Sequence, residues 1–220
     1  VRFEGIIFDF DGVLLESEYA GNKQIAEFLT GIGHPTTPAE SMANFMGLAG
    51  KDFIAAIERW TGREVSSDFH DARAAEDTRV MAEGIDAVAG AVGFVRGLPV
   101  GFPRAIASSS STAWIARHLE HLGIRELFGD MIFSGREHVS NGKPAPDIYL
   151  HAAASLGIEI RRAVILEDSP VGATAAVASG AHVIGFCGGT HCATDHADRL
   201  RAVGVHNIAV NFEEVSQLVS

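Results

Sequence analysis

Short apolar runs ending in polar residues or glycine recur along the chain, at residues 5–8, 104–107, 131–133, 163–166 and 182–185, with a weaker one at 207–210. The first, Gly5-Ile6-Ile7-Phe8, is short, apolar and β-branched, and reads as a strand buried on both faces. Between most of them the apolar spacing becomes helical. Trp114, His118, Leu119 and Leu122 share one face and Gly123 supplies a stop. Ile148, Leu150, Ala153 and Leu156 follow Pro146-Asp147 and stop at Gly157, and a small-residue segment from 172 to 178 stops at Gly180. Strands alternating with helices predict an α/β fold with a parallel sheet covered on both faces.

Residues 16–83 break this rhythm. Tyr19, Ile25, Phe28 and Leu29 form one helical apolar set, closed by Gly31-Ile32-Gly33, and Phe53, Ile54, Ile57 and Trp60 form another, closed by Gly62. A helical block between the first and second core strands predicts an inserted α-helical cap at 16–83, interrupting a core made of 1–15 and 84–220. No internal repeat or low-complexity linker is visible.

Composition narrows the function. The 220 residues suit one domain, or one domain with an insertion, and the balance of 47% hydrophobic and 20% charged residues is globular. Net charge is 17 − 28 = −11, which argues against nucleic acid or an acidic membrane as the main partner. A chain this acidic that binds an anion must concentrate positive charge locally, from a metal, a lysine or helix N-termini. The two cysteines, Cys187 and Cys192, do not make a disulfide scaffold and suit a reducing compartment. No run is long and apolar enough for a membrane span, and no signal-peptide pattern precedes the first strand. The expectation is a soluble, cytoplasmic protein, monomeric by default.

Four polar groups stand at strand ends or on rigid turns. In Phe8-Asp9-Phe10-Asp11-Gly12-Val13, two carboxylates two residues apart converge where the first strand ends. They repel one another unless a proton or a hard cation such as Mg2+ intervenes. Ser108 follows the second run, and its hydroxyl with the backbone N–H groups of Ser109 and Ser110 suits phosphate oxygens; the alternative is an N-cap for the helix near Thr112. Lys143 stands before two prolines in Lys143-Pro144-Ala145-Pro146, placed to neutralise an aspartate and a phosphate, or to sit in a surface turn. Glu167-Asp168-Ser169 follows the run 163–166, where its acids suit a Mg2+ shell or simply complement a helix dipole.

In this order the four motifs resemble the haloacid dehalogenase superfamily, in its β-phosphoglucomutase-like phosphatase branch with a helical cap. The resemblance covers essentially the whole chain. It implies a Rossmann-like core, Mg2+ dependence and an aspartyl-phosphate intermediate on a small phosphorylated metabolite, a sugar phosphate or sugar-acid phosphate. It makes Asp9 the nucleophile and Asp11 the acid/base, whose backbone carbonyl also serves the metal. Ser108 and Lys143 hold phosphate, and Asp168 and Glu167 complete the ion's shell. A phosphomutase of the same branch is the alternative. Such mutases carry a His near Gly21 and an Arg near Gly50, with Lys51 or Arg79 as possible substitutes here. A catalytically silent binding protein is a third reading. Cys187, His191, Cys192 and His196 have residue types that suit zinc, or are a loop and an outward helix face.

Overall fold

The computed structural model describes residues 3–46, 48 and 50–220. It divides into two compact units, Val1–Glu16 with Asp86–Ser220, and Ser17–Ile85.

The larger unit is built on a parallel sheet. Its strands are β1 (Gly5–Phe8), β2 (Arg104–Ser108), β3 (Ile132–Ser134), β4 (Ala163–Glu167), β5 (His182–Phe186) and β6 (Asn207–Ala209), in the spatial order β3-β2-β1-β4-β5-β6. β1 is central and buried along its length, paired in parallel with β2 on one side and β4 on the other. The chain leaves β1 toward one edge and later returns to the other. This places a topological switch at the carboxyl ends of β1 and β4, where open α/β sheets hold ligands. Ile7, Ala107, Ile165, Ile148 and Tyr149 belong to one buried cluster between sheet and helices.

The strands run slightly differently from the hydrophobic pattern. β2 and β4 each extend one residue, so Ser108 and Glu167 are the buried last residues of strands rather than the first residues beyond them. β3 is displaced by one residue, to end on Ser134, and β6 stops at Ala209. The helix Asp147–Leu156 buries Ile148, Tyr149, Ala152 and Ala153, whereas Leu150 is 42% exposed. Among the described residues, no helix is long and apolar enough to cross a membrane.

The second unit contains α1 (Ser17–Gly31), α2 (Pro38–Phe45), α3 (Gly50–Thr61) and α4 (Ser67–Glu83). Ile25, Leu29, Phe45, Ala56, Ile57 and Phe69 form its buried centre. α2 starts with a capping box: Glu40 N–H donates to Thr37 Oγ1 and Thr37 N–H donates back to Glu40 Oε2, with Pro38 in the first turn. Trp60 departs from the expected apolar stripe. Its indole N–H donates to Thr36 Oγ1 at 2.9 Å, which keeps its polar edge satisfied at the margin of the cluster.

Candidate active site

Asp9 follows β1 directly, and its N–H donates to the Leu166 carbonyl at 2.9 Å. The sheet ladder therefore fixes Asp9 beside the end of β4. Three residues on, Gly12 has φ +81°, and a Cβ there would run into the Asp168 carboxylate. Only glycine lets the chain turn this close to the end of β4.

Lys143 joins the two strand ends. Its Nζ donates to Asp9 Oδ1 at 2.6 Å and to Glu167 Oε1 at 2.7 Å, and the three side chains are 5%, 9% and 0% exposed. The prolines expected to pin this lysine follow it, and the Lys143–Pro144 peptide is cis. Glu167 is fully engaged. Oε1 also accepts from the Tyr149 hydroxyl at 2.9 Å, while Oε2 accepts from Ser169 N–H at 2.8 Å and Ser169 Oγ at 3.1 Å. A Cβ on Gly172 would fall inside this carboxylate.

Burial pushes the Asp9 carboxyl well above its ordinary range; Lys143 opposes the rise, and Glu167, Asp168 and Asp11 add to it. Burial disfavours the charged Lys143, but the charges of Asp9 and Glu167 outweigh it and hold the ammonium well above its usual value. Tyr149 is raised by burial and then by Glu167, so it remains a phenol and a donor.

Asp9, Glu167 and Asp168 each present a ligand oxygen, all within 4.8 Å of one another and all buried. Lys143 pairs with two of these three buried carboxylates, and an all-oxygen set of this size fits a hard divalent cation. Glu167, expected in the ion's shell, has each of its oxygens already accepting two donors.

Asp11 meets a different set of side chains. Its Oδ2 accepts from Ser110 Oγ at 2.6 Å and from Ser108 Oγ at 3.3 Å, and its Oδ1 accepts the Trp114 indole N–H at 3.2 Å. The sequence marks Trp114 only as an apolar face residue, and nothing in its spacing signals this polar contact. The serines differ from expectation too. Ser111, not Ser108, caps the helix Thr112–His121, accepting from Trp114 N–H. The Ser110 N–H, expected to meet phosphate, donates to Ser108 Oγ at 3.0 Å. Ser108 is a buried strand end, while Ser109 is exposed.

Two histidines surround Asp168. His191 Nε2 lies 2.8 Å from Asp168 Oδ2, and His196 Nε2 donates to the Asp168 carbonyl at 2.6 Å. One ligand atom each of His191, Cys192 and His196 falls within 4.8 Å of the others; Cys187 is outside this group. Both cysteines are unbridged, and burial pushes the Cys187 thiol up to about 11 and the Cys192 thiol up to about 12.

The mutase question turns on the second unit. Gly21 lies in α1, and its carbonyl accepts from Arg73 Nη1 at 3.4 Å. Gly50 opens α3, but Gly47 and Ala49 of the same expected loop lie outside the described residues. Arg79 is committed to Glu76 at 2.7 Å and Glu83 at 2.6 Å. Lys51 is exposed.

A family model described as haloacid dehalogenase-like hydrolase matches residues 6–186. Hexitol phosphatase A of Escherichia coli K12 is 33% identical over 192 residues, covering 84% of this chain and 83% of that protein. The 6-phosphogluconate phosphatase of the same organism is 24% identical over 218 residues, 99% of this chain and 93% of that protein. A haloacid dehalogenase family hydrolase of Deinococcus radiodurans R1, solved with bound phosphate and sodium, matches with a TM-score of 0.89 at 30% identity, covering 99% of this chain and 95% of that one.

Proposed function

The chain belongs to the haloacid dehalogenase-like hydrolases, as a phosphatase of that family, and from that premise we propose that it hydrolyses a phosphorylated sugar, sugar alcohol or sugar acid through an aspartyl-phosphate intermediate. The observation that carries this reading is the Lys143 ammonium bridging Asp9 and Glu167 at the carboxyl ends of β1 and β4. The substrate class is supported by the names of the hexitol and 6-phosphogluconate phosphatases.

Asp9 is the nucleophile. Lys143 holds its Oδ1, which leaves Oδ2 to attack phosphorus as the bond from phosphorus to the sugar oxygen breaks. Asp11 gives a proton to the departing alkoxide. It then takes a proton from the water that attacks the phospho-aspartate, releasing phosphate and restoring Asp9. Ser110, Ser108 and Trp114 contact the Asp11 carboxyl oxygens and fix its orientation. Ser108, Ser109, Ser110 and Lys143 hold the phosphate oxygens, with the Ser110 N–H exchanging Ser108 Oγ for substrate. Asp9, Asp168 and Glu167, with the Asp11 carbonyl, would hold Mg2+, and Glu167 must release a Ser169 donor to take part. When bound, this ion neutralises the phosphate dianion that a carboxylate must approach. Residues 16–83 serve as the family's inserted helical cap.

The test is a panel of hexitol phosphates, 6-phosphogluconate, phosphoglycolate and β-glucose 1-phosphate, assayed for phosphate and for glucose 6-phosphate with Mg2+ and then with EDTA. Phosphate release that EDTA abolishes is expected. Rapid isomerisation without phosphate release would make the protein a mutase. Phosphate-ester binding with no turnover of any compound would make it a silent binding protein.

A further inference from the structure

We propose that His191, Cys192 and His196 form a site for a thiophilic divalent ion, Zn2+ or its Co2+ analogue, separate from the all-oxygen group of Asp9, Glu167 and Asp168.

The residue types are those of a His2Cys zinc shell with one position open to water. His191 and His196 are 4% and 3% exposed, and Cys192 is half-buried. His191 Nε2 lies 3.5 Å from Cys192 Sγ. Two ligands on one tetrahedral ion, with a metal–sulfur bond of about 2.3 Å and a metal–nitrogen bond of about 2.0–2.1 Å, are separated by about 3.5 Å.

His196 supplies the second, independent sign. Its Nε2–H donates to the Asp168 carbonyl, which fixes the tautomer, and its buried Nδ1 has no hydrogen-bond partner. A ring that donates one nitrogen to a backbone carbonyl and presents the other as a bare lone pair is the usual posture of a metal-binding histidine. The loop is also held in advance. Thr190 N–H and Oγ1 both donate to Glu16, at 3.0 Å and 2.9 Å. A Cβ on Gly189 would lie 2.6 Å from the His191 ring, so glycine makes the slot for the imidazole.

Occupancy has a consequence, which rests on the phosphatase reading. His191 Nε2 would leave Asp168 Oδ2 for the thiophilic ion. Asp168 would then lose a partner, and the apparent requirement for Mg2+ would rise.

The test is Co2+ and Zn2+ titration of the full chain. One Co2+ per chain should bring a thiolate-to-metal charge-transfer band that Cys192→Ala removes. The same variant should weaken Zn2+ by more than about 100-fold, since loss of even an outer partner costs about 10–100-fold. Cys192→Ala should keep phosphatase activity and lose its inhibition by Zn2+. A Co2+ complex without the band, or a band that survives Cys192→Ala, overturns the site. Zinc-edge X-ray absorption on the unaltered protein reads the thiolate ligand without a variant: a sulfur at about 2.3 Å is expected, and a shell of oxygen and nitrogen alone overturns the proposal. The sulfur reports on the site whatever the substrate. If it is found while activity is absent throughout, the phosphatase reading has failed and the metal site stands.

Discussion

Gly172 and Glu167 share one space: a methyl group at position 172 would occupy the volume of the Glu167 carboxylate. That carboxylate anchors Lys143, Tyr149 and Ser169, so displacing it disturbs the lysine that holds Asp9. Gly172→Ala should destabilise the fold by about 1–3 kcal/mol, the usual cost of overpacking, and should lower kcat more than it raises KM. Gly93→Ala is the control. Gly93 lies within the helix Ala91–Gly97 with nothing within 4 Å of its added methyl, so the change should stabilise by about 0.4–1 kcal/mol. Urea melts of both variants check the pair; equal effects would contradict the steric argument.

Lys143 neutralises two carboxylates in a buried place. Lys143→Met leaves Asp9 and Glu167 without their shared ammonium, and breaking such a pair from one side costs about 3–5 kcal/mol. Adding Glu167→Gln should recover part of the loss, because one uncompensated charge then disappears. Chemical denaturation of both single variants and the double variant gives the coupling. A double variant less stable than Lys143→Met alone would show that Glu167 is held by Tyr149 and Ser169 rather than by the lysine.

The sheet is legible in the sequence because each of its inner strands carries a short apolar run, bounded by polar residues or glycine. The helices Ala91–Gly97 and Phe212–Val219 are not. The first carries glycine at positions 93 and 97, and the second is too short for its apolar face to repeat. α2 did carry a readable signal, Thr37-Pro38 with Glu40 three residues after the threonine. The motif residues Asp9, Ser108, Lys143 and Glu167 stand out because each ends a run or precedes a rigid turn. Their supports do not. Trp114 meets Asp11 across 103 positions, and its helical spacing marks it only as apolar. Tyr149 meets Glu167 from within the apolar face of its helix. His191 and His196 are visible as metal-binding types, but their contacts with Asp168 follow from how the loop after β5 folds back on β4.

Asp9→Asn removes the nucleophile and keeps the shape. Turnover should fall by on the order of 10^4-fold or more, as for loss of a nucleophile elsewhere. The fold should persist, since the neutral amide avoids the burial that raises the Asp9 carboxyl and Lys143 retains Glu167. Circular dichroism, activity and a mass spectrum that excludes deamidation check this. Near-normal kcat in the undeamidated variant would remove Asp9 from its role.

Acid should weaken the fold through His118. Its ring is buried, with Nδ1 at 2.9 Å from the Trp114 carbonyl, and burial holds its pKa below the ordinary 6.5. The unfolded chain therefore binds the proton first. This contribution is complete above about pH 6.5 and is lost as pH falls through that value toward the folded pKa. The unfolding free energy should drop between about pH 7 and 5, less steeply in His118→Gln. Parallel slopes for the two proteins would place the titration elsewhere.

His191 orients the Asp168 carboxylate by a contact at 2.8 Å between two side chains that are 2% and 5% exposed. Asp168 is also held through its backbone, by His196, so loss of His191 removes one partner of the carboxylate and leaves the chain in place. His191→Asn should therefore act on metal binding first. The Mg2+ concentration for half-maximal activity should rise by about 10–100-fold, the usual cost of removing a partner from a metal-binding group. With the metal saturating, kcat should return to within a few-fold of the unaltered enzyme. Mn2+ binding followed by electron paramagnetic resonance reads the same loss without turnover. A fall in kcat that excess metal does not restore, with Mn2+ affinity unchanged, would instead make His191 a residue of the chemical step.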